Sequence, residues 1–292
     1  MIDHLTYHER FTAEEFEYQY NLRLGRPDFE ETVTPDWVRR SEAARADLNC
    51  QLDIRYGEGE KQKIDVFSCG DASAPVLLYF HGGYWFRGDK SLYSFLAKPF
   101  LEAGINLVVI GYDLCPDVSI IEISEQCRTS VATVYRQAKA LGLNRKRISV
   151  MGHSAGGHIT EMMMGTDWRR FSEDLPLDLI ASGIPISPIS LLEPVRLTAG
   201  LNAGIQMTEE QARSESPILN HPPVTNAPQM LVVGGAETSE FHRQSQMYYD
   251  KFKTNSRALE IYVVPDVDHF DELNVLADPE SEFFKKILAM MG

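Results

Sequence analysis

A chain of 292 residues, 43% of them hydrophobic, can bury a substantial core as one large α/β domain or two small ones. Its 42 acidic and 28 basic residues give a formal net charge of −14, which argues against nucleic acid and anionic membranes as partners. No run approaches the roughly 18 to 20 uninterrupted apolar residues of a membrane span.

The chain opens on MIDHLTYHERFTAEEFEYQY, acidic and broken by charges, which is not the pattern of a secretory leader. Residues 1–50 continue with helix-like polar and aromatic stretches, EEFEYQYNLR and PDWVRRSEAARAD. Two amphipathic strand candidates follow, QLDIRYG and QKIDVFS; the turn-like EGEK between them predicts an antiparallel pair. Beyond GDASAP come six apolar runs of strand length, at 75–80, 105–112, 147–152, 179–187, 229–235 and 259–265. They are too apolar to alternate, as parallel strands covered on both faces should be. Helix-like segments lie between them, and SEFFKKILAMM closes the chain. The alternation predicts a mostly parallel, doubly wound sheet with an antiparallel start. Residues 188–223 break the rhythm without resembling a linker. We expect a single domain over 1–292, with 1–50 as a helical cap segment and 188–223 as a lid-like insertion at the carboxyl ends of the strands, where α/β sheets bind ligands. The cysteines, Cys50, Cys69, Cys115 and Cys127, form no CxxC pair. Reduced thiols and a cytoplasmic location are expected, not a disulfide or zinc framework.

The chemistry concentrates in four places. VMGHSAGGH, residues 150–158, sets Ser154 between Gly152 and Gly156 where a strand gives way to a helix. In a G-x-S-x-G turn of this kind, side chains at the flanking positions would strike neighbouring backbone, and the hydroxyl projects into the crevice at a helix N-terminus. HGGYW, residues 81–85, follows the strand at 75–80. Its glycines let backbone N–H groups turn toward an incipient oxyanion, with Gly83, Tyr84 and Ala155 as the expected donors. VVPDVDHFDEL places His269 just past the last strand, where an imidazole can take and return a proton near neutrality. The other histidines have blander roles. His4, His8 and His221 lie in polar or Pro-rich segments, and His242 lies on an amphipathic helix. His81 and His153 orient backbone at the glycine turns, and His158 is a buried, satisfied histidine. The acid should follow the next-to-last strand, within LVVGGAETSEFHRQS. Glu237 leaves the sheet directly, whereas Glu240 suits the first turn of a helix. Asp266, Asp268 and Asp271 beside His269 are expected to face solvent. The order nucleophile, acid, base is that of the α/β-hydrolases.

HGGYW, GHSAGGH and DVDHF together resemble the α/β-hydrolase fold, in its branch of arylformamidases (kynurenine formamidases) and related carboxylesterases. ETSEFHRQS resembles that family's segment around the catalytic acid, and EYQYNLRLGRPDFE its N-terminal region, so the likeness runs from about residue 17 to the end. One departure is Glu237, where the family usually has Asp; the extra methylene still permits a carboxylate–imidazole bond. The resemblance implies Ser154 as nucleophile, His269 as base and Glu237 as acid, acting through an acyl-enzyme without metal or organic cofactor. It implies an aryl formamide of the N-formylkynurenine type as substrate, with a short-chain carboxylesterase as the alternative, and it leaves room for a homodimer. A hydrolase-fold protein that binds a small ligand without turning it over is a third reading. Aromatic residues near the crevice, Trp85, Phe241 and Phe270, would suit an aryl group.

Overall fold

The computed structural model describes residues 6–292, so His4 lies outside the described residues. Eight strands form one sheet: β1 (Cys50–Arg55), β2 (Lys63–Phe67), β3 (Val76–Phe80), β4 (Asn106–Ile110), β5 (Ile148–His153), β6 (Ile180–Ile186), β7 (Gln229–Gly234) and β8 (Leu259–Val264). Their spatial order is β1-β2-β4-β3-β5-β6-β7-β8. β1 and β2 pair antiparallel, β2 joins β4 antiparallel, and every other pairing is parallel. This is the mostly parallel, doubly wound sheet expected from the alternation, antiparallel start included, and it is the sheet that the α/β-hydrolase resemblance implies.

The central strands are apolar on both sides because both sides are covered. Val76, Leu78 and Phe80 of β3 enter one core, shared with Ile123, Val131, Ile159 and Met163. Leu77 and Tyr79 enter the other, with Phe100, Phe284 and Ile287. The helices supplying these side chains carry the expected local signals. Helix α4 (Ile120–Gln137) starts on a Ser119/Glu122 capping box and buries Ile120, Ile123, Cys127, Val131 and Val134 along one stripe. The other helices behind the sheet are α3 (Ala97–Glu102), α5 (Ala155–Met164), α6 (Trp168–Phe171), α11 (Ser239–Phe252), α12 (Glu272–Leu276) and α13 (Glu282–Met291).

The two segments outside the alternation meet each other. Residues 188–223 form four short helices, α7 (Glu193–Leu197), α8 (Ala199–Ile205), α9 (Glu209–Ser214) and α10 (Pro217–Asn220). The N-terminal region contributes α1 (Ala13–Tyr20) and α2 (Thr34–Asp47). Glu17 of α1 accepts the Gly200 N–H of α8 at 2.7 Å. Helix α2 packs instead on the 3₁₀ segment Lys90–Leu96, with Trp37 stacked on Phe95 and Ser41 Oγ donating to the Leu92 carbonyl at 2.9 Å.

After β3 the chain turns to β4 on one side, and β5 occupies the other, with Phe80 opposite Gly152. The topological switch point therefore lies between the carboxyl ends of β3 and β5, where open α/β sheets place their ligands. HGGYW and GHSAGG emerge there.

Candidate active site

Ser154 sits between β5 and α5 with φ 59° and ψ −118°, a conformation L-residues rarely adopt. Such strain costs about 1–3 kcal/mol and persists only where the surroundings over-determine it. Here they do. The Ser154 N–H donates to the Ile186 carbonyl at 2.8 Å, and the Ser154 carbonyl accepts the His158 N–H at 3.0 Å. A Cβ at Gly156 would stand 2.0 Å from the Phe80 carbonyl oxygen, and one at Gly152 would stand 2.2 Å from that of Gly156. Strand, turn and helix can approach this closely only as glycine.

The HGGYW turn is built from three successive left-handed residues, Gly83 (φ 119°), Tyr84 (φ 49°) and Trp85 (φ 58°). The Gly83 carbonyl accepts the Arg87 N–H at 2.9 Å and the Trp85 carbonyl accepts the Cys115 N–H at 2.8 Å, closing the turn. Among the described residues, the N–H groups of Gly83, Tyr84 and Ala155 are not among the backbone donors paired within the protein. His81 supports the turn from below. Its Nδ1 lies 2.8 Å from the Gly82 carbonyl, its ring is stacked 4.2 Å from Tyr112, and burial pushes its pKa down to about 4.

His269 Nδ1 is 2.6 Å from Glu237 Oε2, and the Glu237 side chain is fully buried. Glu237 Oε1 accepts the Gly234 N–H at 3.0 Å and the Ser187 hydroxyl. Glu240 points elsewhere: it forms a two-pronged ion pair with Arg243 at 2.6 Å and accepts the Tyr20 hydroxyl at 2.6 Å. The His269 ring is held between Phe241, centroids 4.8 Å apart, and Phe270 at 5.5 Å. His153 Nε2 lies 2.8 Å from the His269 carbonyl, and burial holds its ring neutral well below the usual imidazole range.

Ser154, His153 and His269 line one cavity of about 180 Å³ together with Gly82, Gly83 and Tyr84. Its outer wall is aromatic: Phe29, Trp37, Tyr93 and Phe270. Two of the expected aromatic contacts are corrected here. Trp85 is fully buried with its ring edge against His158, 5.1 Å away, because its left-handed φ turns the side chain back into the core. Phe241 is also fully buried; it faces inward from α11 and props the imidazole without reaching the cavity. Phe29 and Trp37 take their place from a region more than forty residues before the first motif. The insertion supplies only Leu201 to the wall, whereas residues 21–37 supply seven side chains. Other expectations shift as well. His8 is buried, with Nδ1 unpartnered. His158 bonds the Glu215 carbonyl through Nε2 at 2.8 Å but leaves Nδ1 without a partner. Asp268 does not merely face solvent: it accepts the N–H groups of Phe270 and Asp271 at 3.0 Å and pairs with Arg26, which also reaches Asp271 at 3.0 Å.

Known proteins share this arrangement of chain. The BD-FAE family profile matches residues 64–177. The kynurenine formamidase of Salmo salar is 30% identical over 94% of this chain and 93% of its own length, and that of Danio rerio is 31% identical over 86% and 85%. The chain belongs to the kynurenine formamidase family. Within that family it is a hydrolase of the formamidase and carboxylesterase type, with the α/β-hydrolase fold. A crystal structure of a Silicibacter protein designated a thioesterase superposes with a TM-score of 0.76 at 30% identity, over 88% of this chain and 92% of that one. An inhibited esterase B from Lactobacillus shares the fold, with a TM-score of 0.68 at 19% identity over 90% and 95% of the two chains.

Among the described residues, His153, His269 and Glu272 have side-chain ligand atoms within 4.8 Å of one another. The imidazoles are already engaged, His153 Nε2 with the His269 carbonyl and His269 Nδ1 with Glu237. Their spacing is that of a hydrogen-bond network. Among the described residues no helix is long and apolar enough to cross a membrane.

Proposed function

We propose that this formamidase-family hydrolase cleaves an aryl formamide of the N-formylkynurenine type, with Ser154, His269 and Glu237 as its catalytic triad. The observation that carries the reading is the 2.6 Å bond from His269 Nδ1 to a fully buried Glu237, on an imidazole that shares its cavity with Ser154. Nδ1 donates to the carboxylate, which leaves Nε2 as the basic nitrogen. Nε2 takes the Ser154 proton as Oγ attacks the formyl carbon. The N–H groups of Gly83, Tyr84 and Ala155 stabilise the oxyanion. Nε2 then returns the proton to the aryl nitrogen as the C–N bond breaks and the arylamine leaves. Water, deprotonated by the same nitrogen, releases formate from Ser154.

The aromatic wall supports the aryl group. A cavity of about 150 Å³ accommodates a benzene ring in an engineered protein core, and the present one is slightly larger at about 180 Å³. Residues 1–50 and 188–223 act as a cap on one domain, the former supplying seven of the nineteen residues that line the cavity. Four free cysteines support a reducing, cytoplasmic setting.

Steady-state turnover of N-formylkynurenine against p-nitrophenyl acetate tests the reading, with Ser154→Ala as control. We expect kcat/KM for the formamide of about 10⁴ M⁻¹s⁻¹ or more and a loss of roughly 10³-fold or more in the variant. Turnover of the ester alone would retain the triad and replace the formamidase by a carboxylesterase. Stoichiometric binding without turnover of either would leave only the ligand-binding protein.

A further inference from the structure

A second carboxyl stands behind the triad acid. Glu272 begins α12, three residues after His269, and is fully buried. Its Oε2 lies 2.8 Å from Ser187 Oγ and 3.5 Å from His153 Nε2, and its Oε1 has no hydrogen-bond partner. Ser187 Oγ also bonds Glu237 Oε1, so one hydroxyl bridges two carboxyls that also lie within reach of each other. Ser187 itself has φ 45°, a left-handed conformation that a serine adopts at a cost; its N–H donates to the Val232 carbonyl at 2.8 Å.

Counting hydrogens decides how the group works. A serine hydroxyl has one proton and can donate to only one of two carboxyls; from the other it must accept. Glu237 receives the Gly234 N–H and faces the imidazole of His269, so it is placed to carry negative charge. Among the described residues, no lysine or arginine pairs with Glu272. The groups that face it are Ser187 from the end of β6, neutral His153 from β5, Tyr79 from β3, Glu237 from the loop after β7, and Asp268 and His269 from its own loop. Two adjacent carboxylates in a dry interior cannot both ionise without a large cost.

We propose that Glu272 is a positioning residue that holds a proton and passes a hydrogen bond through Ser187 to the carboxylate of Glu237. Glu272 O–H donates to Ser187 Oγ, Ser187 O–H donates to Glu237 Oε1, and the single negative charge of the cluster serves His269. The relay compensates for the longer side chain of Glu237, whose extra rotatable bond would otherwise loosen the imidazole. Burial first, and the charge of Glu237 second, push the Glu272 pKa well above the usual carboxylate range, in the same direction as the hydrogen count. The inference rests on His269 and Glu237 being base and acid in the reaction proposed above.

The test is the pH dependence of kcat/KM on p-nitrophenyl acetate for wild type, Glu272→Gln and Glu272→Leu, with infrared difference spectra at neutral pH. Gln keeps a neutral donor to Ser187, so the acidic limb should stay in place and activity should remain within about threefold of wild type. Leu removes the donor, so kcat should fall about tenfold and the limb should move to higher pH as Glu237 becomes more basic. The wild-type spectrum minus that of Glu272→Gln should show the carbonyl band of a protonated carboxyl. A limb displaced downward by about half a pH unit or more in Glu272→Gln would mean that a negative charge had been removed, and the proposal would be wrong. Wild-type behaviour in Glu272→Leu, or a difference spectrum without the carboxyl band, would also overturn it. Failure of the triad assignment is separable: His269→Ala would then keep turning over the ester, whatever the spectra of the Glu272 variants.

Discussion

Two glutamates three residues apart, Glu237 and Glu240, do different work, and single substitutions should separate them. Glu237 bonds the imidazole while Glu240 neutralises Arg243 and receives the Tyr20 hydroxyl. Glu237→Gln should keep the fold and lower kcat by about 10⁴-fold, because the amide can no longer fix the required imidazole tautomer. Glu240→Ala should leave the chemistry of the folded enzyme close to wild type. It should nonetheless cost about 1–3 kcal/mol of stability, since the buried Tyr20 hydroxyl loses its acceptor. Urea denaturation and steady-state kinetics on the two variants would check both statements. The preference for Glu237 as the neighbour of His269 has a local reason: Glu237 leaves the sheet just after Gly234 and Gly235, so its carboxyl stays near the strand end, 2.6 Å from the imidazole. The placing of Trp85 against the cavity failed for an equally local reason. A left-handed turn at three successive residues sends its ring inward, and the letters HGGYW do not display that turn.

Single elements explain which parts of the site were legible. The strands could be read because the first two are amphipathic about a turn-like EGEK and the six that follow are apolar runs, and the glycine turns at their ends are confined to a few consecutive residues. The cavity wall could not be read in that way. Phe29 and Trp37 reach it through α2 and the residues before it, and only tertiary packing brings them there. The aromatic, helix-like character of residues 14–47 was the available signal, and it pointed to a cap without saying which side chains face inward. The same region controls the loop carrying His269. Arg26 bridges Asp268 and Asp271, and Asp268 caps the turn that follows the imidazole. Arg26→Ala should lower kcat by roughly tenfold while the far-ultraviolet circular dichroism stays unchanged, since a small displacement of a catalytic group is enough to slow turnover.

The molecule as a whole should be sensitive to mild acid. His81 and His158 are held neutral, with pKa values pushed down by burial to about 4 and about 3, and His153 is lowered well below the ordinary value. Buried His8 is lowered too. The unfolded chain binds protons at these positions below about pH 6.5 and the folded chain does not, so stability is present above that pH and declines as pH falls toward the folded values. Glu161 and Glu272 oppose this, since burial keeps their pKa values raised and the folded state retains protons that the unfolded chain has released above about pH 4.3. With four imidazoles against two carboxyls, unfolding takes up protons on balance once the unfolded imidazoles are mostly protonated, so stability should fall as the pH drops from about 6 to 5. Urea midpoints measured across that window at constant ionic strength would show the slope, and a flat or inverted profile would contradict the burial of these imidazoles in neutral form.

The bonds that seat the N-terminal region join distant parts of the chain: Tyr20 to Glu240 spans 220 residues, and Arg26 to Asp268 and Asp271 spans 242 and 245. At about 5–20 residues per second, a ribosome would take roughly 12 to 50 s between making Arg26 and making its partners. For that interval Phe16, Tyr20, Phe29 and Trp37 have no finished surface to cover them. This region is thus made long before the parts that seat it, and the growing polypeptide stays silent toward its substrate until Arg26 has met Asp268 and Asp271.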